Sequence, residues 1–216
     1  MNISKYKAVI FDLDGVLVTT DDCHYLAWKK LADEENIYFD RDINERLRGI
    51  SRMESLEIVL EKAEKQYSDE EKKEMAERKN SYYVSLVKEI DQSALIDGAI
   101  EFISYVKENS LKTAIGSSSK NTNLILSQTG IDSMFDAIAD GNIIIKSKPD
   151  PEVFLKAAEL LGIEPCDCLV CEDADAGIEA AINAGMDVLA VGYAKDNNKA
   201  TYSADNLKAA FNIIEN

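Results

Sequence analysis

Residues 8–15 read Ala8-Val9-Ile10-Phe11-Asp12-Leu13-Asp14-Gly15, an apolar run that stops at two carboxylates two positions apart. Consecutive apolar residues without polar alternation are the pattern of a parallel strand buried on both faces. Side chains alternate along an extended chain, so Asp12 and Asp14 project to the same side of the strand end. Two like charges there are costly unless a cation or a proton lies between them. A solvated turn is the plainer reading of the same pair.

Working outward, similar apolar runs recur at Thr113 to Gly116, Ala137 to Ala139, Cys168 to Cys171 and Val188 to Val191. Between them lie amphipathic stretches of helical length, Gly98 to Glu108, Lys120 to Thr129, Asp150 to Leu161 and Ala174 to Ala184. Strands alternating with helices predict an α/β fold with a doubly wound parallel sheet. In such sheets the ligand crevice lies beyond the carboxyl ends of the strands, so the residues just after each run are the candidates for chemistry.

The first and second runs are separated by roughly a hundred residues, far more than one crossover helix needs. That interval predicts an inserted helical domain with helices at Asp22 to Glu35, Asp42 to Arg48, Met53 to Glu64 and Ser68 to Lys88. Ser68 and Glu71 form a capping-box signature for the last. The expected organisation is a core domain of residues 1–17 and 91–216 with a helical cap of residues 18–90 over the strand ends.

The chain has 216 residues, 46% of them hydrophobic, enough for one full core and a small second module. Its formal charge of -16 opposes non-specific attraction to nucleic acid or anionic membrane. Neither is expected as a partner. The opening residues hold no signal peptide or membrane span, so the cytoplasm is the expected location, and a monomer the expected state. Cys166, Cys168 and Cys171 form a C-x-C-x-x-C cluster. With a single histidine in the chain, a zinc site would have to be all-thiolate. Small buried side chains in a reducing compartment are the plainer expectation.

Glu172-Asp173 follows the fourth run and reaches the same sheet edge as Asp12 and Asp14, so four carboxylates are expected to converge there. An all-oxygen set points to Mg²⁺. The acidic pair would also favour the N-terminus of the following helix through its dipole. Gly116-Ser117-Ser118-Ser119-Lys120-Asn121 follows the second run and offers hydroxyls, backbone N–H groups and a helix start to a phosphate, unless it is only an N-cap. Ser147-Lys148-Pro149-Asp150-Pro151 supplies a lysine after the third.

These four segments resemble the haloacid dehalogenase superfamily, whose phosphotransferases carry D-x-D, a strand-end Ser or Thr, a Lys and a closing acidic pair. The resemblance implies Asp12 as nucleophile and Asp14 as general acid and base, with Asp14 also lending magnesium its carbonyl. It implies Ser117 and Lys148 as ligands of the transferring phosphoryl group. Asp12, Asp14, Glu172 and Asp173 are then the metal residues.

Within that superfamily, His24, Trp28 and the segment Leu47-Arg48-Gly49-Ile50-Ser51-Arg52 are similar to those of the β-phosphoglucomutases. That likeness implies His24 as a residue coupling substrate binding to closure and Arg52 as the binder of the non-transferring phosphate. Trp28, Gly49, Ile50, Ser51, Lys79 and the loop residues Ser118, Ser119, Lys120 and Asn121 join the implied substrate site. The substrate would be a small sugar phosphate, with β-glucose 1,6-bisphosphate as intermediate and activator. Arg48 stands where a Lys is usual, Ser118 where a small apolar residue is, Ala174 where a hydroxyl is and Thr19 where an Asp is common. A sugar-phosphate phosphatase of the same superfamily is the alternative. A phospho-accepting receiver domain would have its acceptor Asp after a middle strand, where Gly116-Ser117 stands here.

Overall fold

The computed structural model describes residues 1–214. Six strands form one sheet: β1 (Ala8–Phe11), β2 (Lys112–Gly116), β3 (Ala137–Ala139), β4 (Cys168–Glu172), β5 (Asp187–Ala190) and β6 (Tyr202–Ser203). Their order across the sheet is β3-β2-β1-β4-β5-β6, and every pairing is parallel. The strand that ends in Asp12 is thus flanked on one side by the strand leading to Ser117 and on the other by the strand ending at Glu172.

Alternation divides each strand between two apolar layers. Val9, Phe11, Leu169, Cys171 and Leu189 pack against Phe102, Ile103 and Val106 of α5 (Ala99–Glu108), Ile125 and Leu126 of α6 (Thr122–Thr129) and Leu207 of α9 (Leu207–Ala210). Ala8, Ile10, Cys168, Val170 and Val188 pack the other way, against Val153, Phe154 and Ala157 of α7 (Glu152–Leu161) and Ile178 and Ala181 of α8 (Asp175–Asn183). Burial on both faces is why these strands read as unbroken apolar runs. Cys168 and Cys171 are three residues apart on one strand and therefore face opposite layers, while Cys166 is exposed. The four cysteines are free thiols.

The expected strands agree with these to within one residue at each end, and β1 and β3 have the expected bounds. Helices differ more. Arg41–Glu45 stops three residues short of the expected Arg48 and Arg52–Leu60 four short of Glu64, each ending in a turn that caps the last carbonyls. The two-residue β6 and the short α9 lie beyond the last expected element. Among the described residues no helix is long and apolar enough to cross a membrane.

Between β1 and β2 come α1 (Asp21–Glu34), α2 (Arg41–Glu45), α3 (Arg52–Leu60) and α4 (Asp69–Val87). Trp28, Leu31, Phe39, Leu56, Val59 and Met75 form their own apolar cluster, separate from the two layers on the sheet. The chain enters and leaves this insertion side by side: the Thr19 amide donates to the Ala94 carbonyl at 2.8 Å and the Ile96 amide to Leu17 at 2.9 Å. Both α3 and α4 begin with a complete capping box, Ser51 with Glu54 and Ser68 with Glu71. Ser68→Ala removes one of these caps at an exposed site, and it is expected to lower stability by about 1 kcal/mol in urea unfolding while leaving turnover unchanged.

Candidate active site

Asp12 lies immediately past β1, where its amide donates to the Cys171 carbonyl at 3.0 Å, a rung that continues the β1–β4 ladder. The residue is 7% exposed. The loop after β3 delivers Lys148, whose ammonium is buried and donates to Asp12 and, at 2.8 Å, to Glu172 Oε2. The other oxygen of Glu172 accepts from the amides of Asp173 at 3.0 Å and Ala174 at 3.1 Å. Glu172 is therefore fixed from both ends. Gly15, at φ +85°, lies so close to Asp173 that a β-carbon would collide with its carboxylate, which is why the turn after Asp14 requires glycine.

Asp12, Glu172 and Asp173 each bring an oxygen to within 4.8 Å of the others. Burial pushes the Asp12 carboxyl up to about 8; the Lys148 ammonium pulls it back, while the Glu172 charge adds to the rise. Burial, then the Glu172 and Asp12 charges, raise Asp173 to about 9. Burial works against the Lys148 charge, but the two carboxylates outweigh it and raise its proton affinity. One ammonium does not neutralise three buried carboxylates. A hard divalent cation held by oxygen ligands suits this donor set, and Mg²⁺ is the ion of that kind which leaves room for a phosphate oxygen.

Asp14 faces the same cavity, but its side chain is not in that acidic group. Its carboxylate accepts from the Thr20 hydroxyl at the start of α1, and Thr20 accepts in turn from Tyr83 of α4 at 3.4 Å. Burial raises the Asp14 carboxyl to about 6; the Thr20 bond opposes that rise and the nearby Asp21 charge adds to it. The four expected carboxylates thus divide into three around a candidate metal position and one held on the insertion side.

After β2, the Ser117 amide donates to the Ala139 carbonyl at 3.0 Å, and its hydroxyl accepts from the Ser119 amide at 3.2 Å. Ser119 Oγ accepts from the Asn121 amide at 3.1 Å, so the loop is wound tightly by its own hydroxyls. Lys120 is exposed at the rim, and the buried hydroxyl of Ser118 has no hydrogen-bond partner among the described residues. Asn121 crosses to the insertion, donating to Asn80 at 3.0 Å.

The insertion supplies the opposite wall of a cavity of about 770 Å³ that also contains Asp12, Asp14, Ser117, Lys148, Glu172 and Asp173. His24, Trp28, Gly49, Ile50, Ser51, Arg52 and Lys79 all line it, as do Ser118, Ser119, Lys120 and Asn121. Trp28 serves the core of the insertion as well, being almost fully buried. Lys79 is buried beneath His24, with Nζ 3.0 Å from His24 Nδ1 and over the rings of Trp28 and Tyr83 at 4.8 and 4.6 Å. Burial first, and the charge of Arg52 next, pull Lys79 down to about 7. Burial and then the Lys79 charge hold His24 well below the usual histidine range, which favours the neutral ring.

Thr20, Tyr83 and Asn80 are close to this chemistry without having been singled out. Tyr83 lies one helical turn beyond Lys79 and on the same face, a signal that helical spacing carries. Thr20 and Asn80 are brought in by contacts between distant segments, which no local pattern marks.

A profile of haloacid dehalogenase-like hydrolases matches residues 6–185. The β-phosphoglucomutase of Bacillus subtilis is 46% identical over 188 residues, covering 86% of this chain and 83% of that protein. A phosphatase of phosphorylated carbohydrates from Thermotoga maritima is 31% identical over 202 residues, covering 92% and 91%. Among solved structures, the β-phosphoglucomutase of Clostridium difficile superposes with a TM-score of 0.88 at 43% identity, over 94% of this chain and 92% of that one. With a matching family profile over most of its length and relatives of this similarity spanning both sheet and insertion, the chain belongs to the haloacid dehalogenase-like hydrolase family.

Proposed function

We propose that this protein is a β-phosphoglucomutase, interconverting β-D-glucose 1-phosphate and glucose 6-phosphate through an aspartyl-phosphate on Asp12. The observation that carries the reading is the difference between two neighbouring arginines. Arg48 is neutralised by Asp21 and Glu45, whereas Arg52, facing the same cavity, has no ion-pair partner among the described residues. Burial lowers its proton affinity, which leaves a desolvated guanidinium in want of an anion. A mutase needs a second phosphate subsite and a phosphatase does not. The similarity to the Bacillus subtilis β-phosphoglucomutase supports the same choice.

In this reading residues 18–90 are a cap over a core of residues 1–17 and 91–216. Asp12 attacks the phosphorus of a bound sugar bisphosphate while Asp14 gives its proton to the departing sugar oxygen. Ser117 and Lys148 hold the phosphoryl oxygens. The phosphorylated Asp12 then meets a sugar monophosphate; Asp14 takes the proton from its free hydroxyl as that oxygen attacks phosphorus, Asp12 leaves as a carboxylate, and the bisphosphate so formed turns round to present its other phosphate for the next transfer. Mg²⁺, when bound, supplies the charge neutralisation that lets an anionic carboxylate meet a phosphate. Asp12, Glu172 and Asp173 would hold it, with the Asp14 carbonyl. Phosphate esters need up to ~10²¹-fold acceleration, and fixed positive charge in a dry cavity is the means this site offers.

The runner-up is a sugar-phosphate phosphatase, favoured by the likeness to the Thermotoga maritima enzyme. Protein incubated with Mg²⁺, β-glucose 1-phosphate and catalytic β-glucose 1,6-bisphosphate is expected to yield glucose 6-phosphate without matching phosphate; phosphate alone would make it a phosphatase. Asp12→Asn is expected to abolish turnover with an unchanged circular dichroism spectrum, and measurable multiple turnover would remove Asp12 from its role. Arg52→Ala is expected to lose roughly 10- to 100-fold in mutase kcat/KM while hydrolysing acetyl phosphate as the parent does. Equal losses in both assays would move Arg52 out of the distal site.

Lys79 yields a prediction of a different kind. Its folded pKa is about 7 against an ordinary 10.5, so between those values the unfolded chain holds a proton that the folded one lacks. Stability of the free protein therefore rises with pH across that window, and below it the buried charge costs its full amount. Lys79→Met is expected to be more stable than the parent by up to about 5 kcal/mol near pH 6, with the advantage shrinking towards pH 10 in urea titrations. A constant difference across pH would contradict the shift.

A further inference from the structure

Tyr193 is 65% exposed on the 3-10 turn Gly192–Ala194 that follows β5, so its ring contributes little to either apolar layer. What covers it is the guanidinium of Arg48, 3.8 Å from the ring centroid and contributed by the insertion. Arg48 is held in that position from three sides. Asp21, in the first turn of α1, accepts from Nη1 at 2.8 Å and Nη2 at 2.7 Å, and Glu45 of α2 accepts from Nε at 2.7 Å. Its side chain is only 17% exposed. A guanidinium with its edge saturated by carboxylates still has its flat faces free, and a stacked aromatic ring is the partner such a face accepts.

The backbone beside it confirms how closely the two parts meet. Gly49 has φ +73°, and a β-carbon there would lie 3.1 Å from that of Ala174, the residue after the acidic pair Glu172-Asp173. Gly192, which begins the turn bearing Tyr193, lies against Asp173. The stack of Arg48 on Tyr193 therefore sits at the edge of the candidate metal position. A second crossing, from Asn121 to Asn80, lies on another side of the cavity, beyond β2.

We propose that Tyr193 is a positioning residue that docks the insertion onto the core through Arg48, and that it thereby sets how far water reaches the phosphorylated Asp12 relative to a sugar hydroxyl. The partition between sugar and water rests on the mutase reading above; the docking does not. Arg48 is too fully occupied by Asp21 and Glu45 to serve as a second phosphate ligand, and its role in this account is mechanical. With Tyr193 in place, one edge of the cavity closes beside Asp173. Without it, the packing of Tyr83 and Val87 and the Asn80 contact still hold the insertion, but the metal edge loses its crossing contact and water enters there.

The test compares Tyr193→Leu, which removes the π face while keeping bulk, with Tyr193→Phe, which retains it. Small-angle scattering of the free proteins and the ratio of inorganic phosphate to glucose 6-phosphate are measured for both and for the parent. The leucine variant is expected to scatter as a more extended particle and to raise that ratio by about 5-fold, with an unchanged melting temperature; the phenylalanine variant is expected to match the parent in both. Scattering of the leucine variant identical to the parent, an unchanged product ratio, or a phenylalanine variant as defective as leucine would each overturn the proposal. Should the parent form no glucose 6-phosphate, the mutase reading fails on that result alone. The docking is then decided by scattering and by the rate of phosphate release from acetyl phosphate, which an opened edge should increase and an undisturbed one should not.

Discussion

Everything in the cavity is arranged around the ammonium of Lys148, held between Asp12 and Glu172 with almost no exposure to water. A buried lysine is costly by itself, and so is each buried carboxylate. Together they are tolerable because the sheet order places their three sources side by side: β1 next to β4, and the loop after β3 arching over β2 to reach them. The two amides that cradle Glu172 complete the arrangement by satisfying the oxygen that Lys148 leaves free. Lysine fixes the geometry of the acidic group but leaves it short of positive charge. That shortfall is what makes the site receptive to a cation and, through it, to a phosphate.

A chain with a formal charge of -16 repels phosphates at long range, so its cations have to be placed where the substrate is to bind. Several of its basic side chains form surface pairs, such as Lys5 with Asp187, Arg46 with Glu61 and Lys72 with Glu57. Pairs of that kind are worth little to stability. Within the cavity, Arg52 and Lys79 on the insertion and Lys120 on the loop after β2 have no carboxylate partner among the described residues. Lys79 is bonded instead to a neutral histidine, so its charge is available once an anion arrives to stabilise it.

Much of this was legible because each feature has a local signature. Parallel strands buried on both faces must be unbroken apolar runs, so β1 could be bounded to the residue, and the half-buried edge strand β3 carries a short apolar run of its own. The boundary of β5 moved by one because its first residue, Asp187, is polar yet ladder-paired, its carboxylate accepting from Tyr6 and Lys5. Strand ends of a doubly wound sheet converge whatever the sequence, which is why Asp12, Ser117, Lys148 and Glu172 could be placed in one crevice beforehand. The family resemblance then marked the insertion residues, which periodicity alone would have left as helix surface. What stayed illegible is pairing. Arg48 and Arg52 are four residues apart in one motif, and only the fold reveals that the first is quenched by Asp21 and Glu45 and the second is not. Likewise β6, two residues long, has no pattern to read.

The hydrogen bonds of Asp14 tie the chemistry to the insertion. Its partner Thr20 immediately precedes α1, and Thr20 is reached in turn by Tyr83 from α4, the helix that also carries Lys79 and Asn80. A swing of α1 and α4 away from the sheet must therefore pull on the hydroxyl that orients Asp14. It must also part Asn80 from Asn121 and Arg48 from Tyr193. The pair of backbone hydrogen bonds joining residues 17–19 to 94–96 lies behind these contacts and need not break in such a motion. In the proposed mechanism an open insertion would admit water and release the group that orients Asp14, whereas a closed one would align Asp14 and exclude water. The contacts that join the insertion to the core include the one that holds Asp14, so under the proposed mechanism orientation of the acid and exclusion of solvent would be gained or lost together.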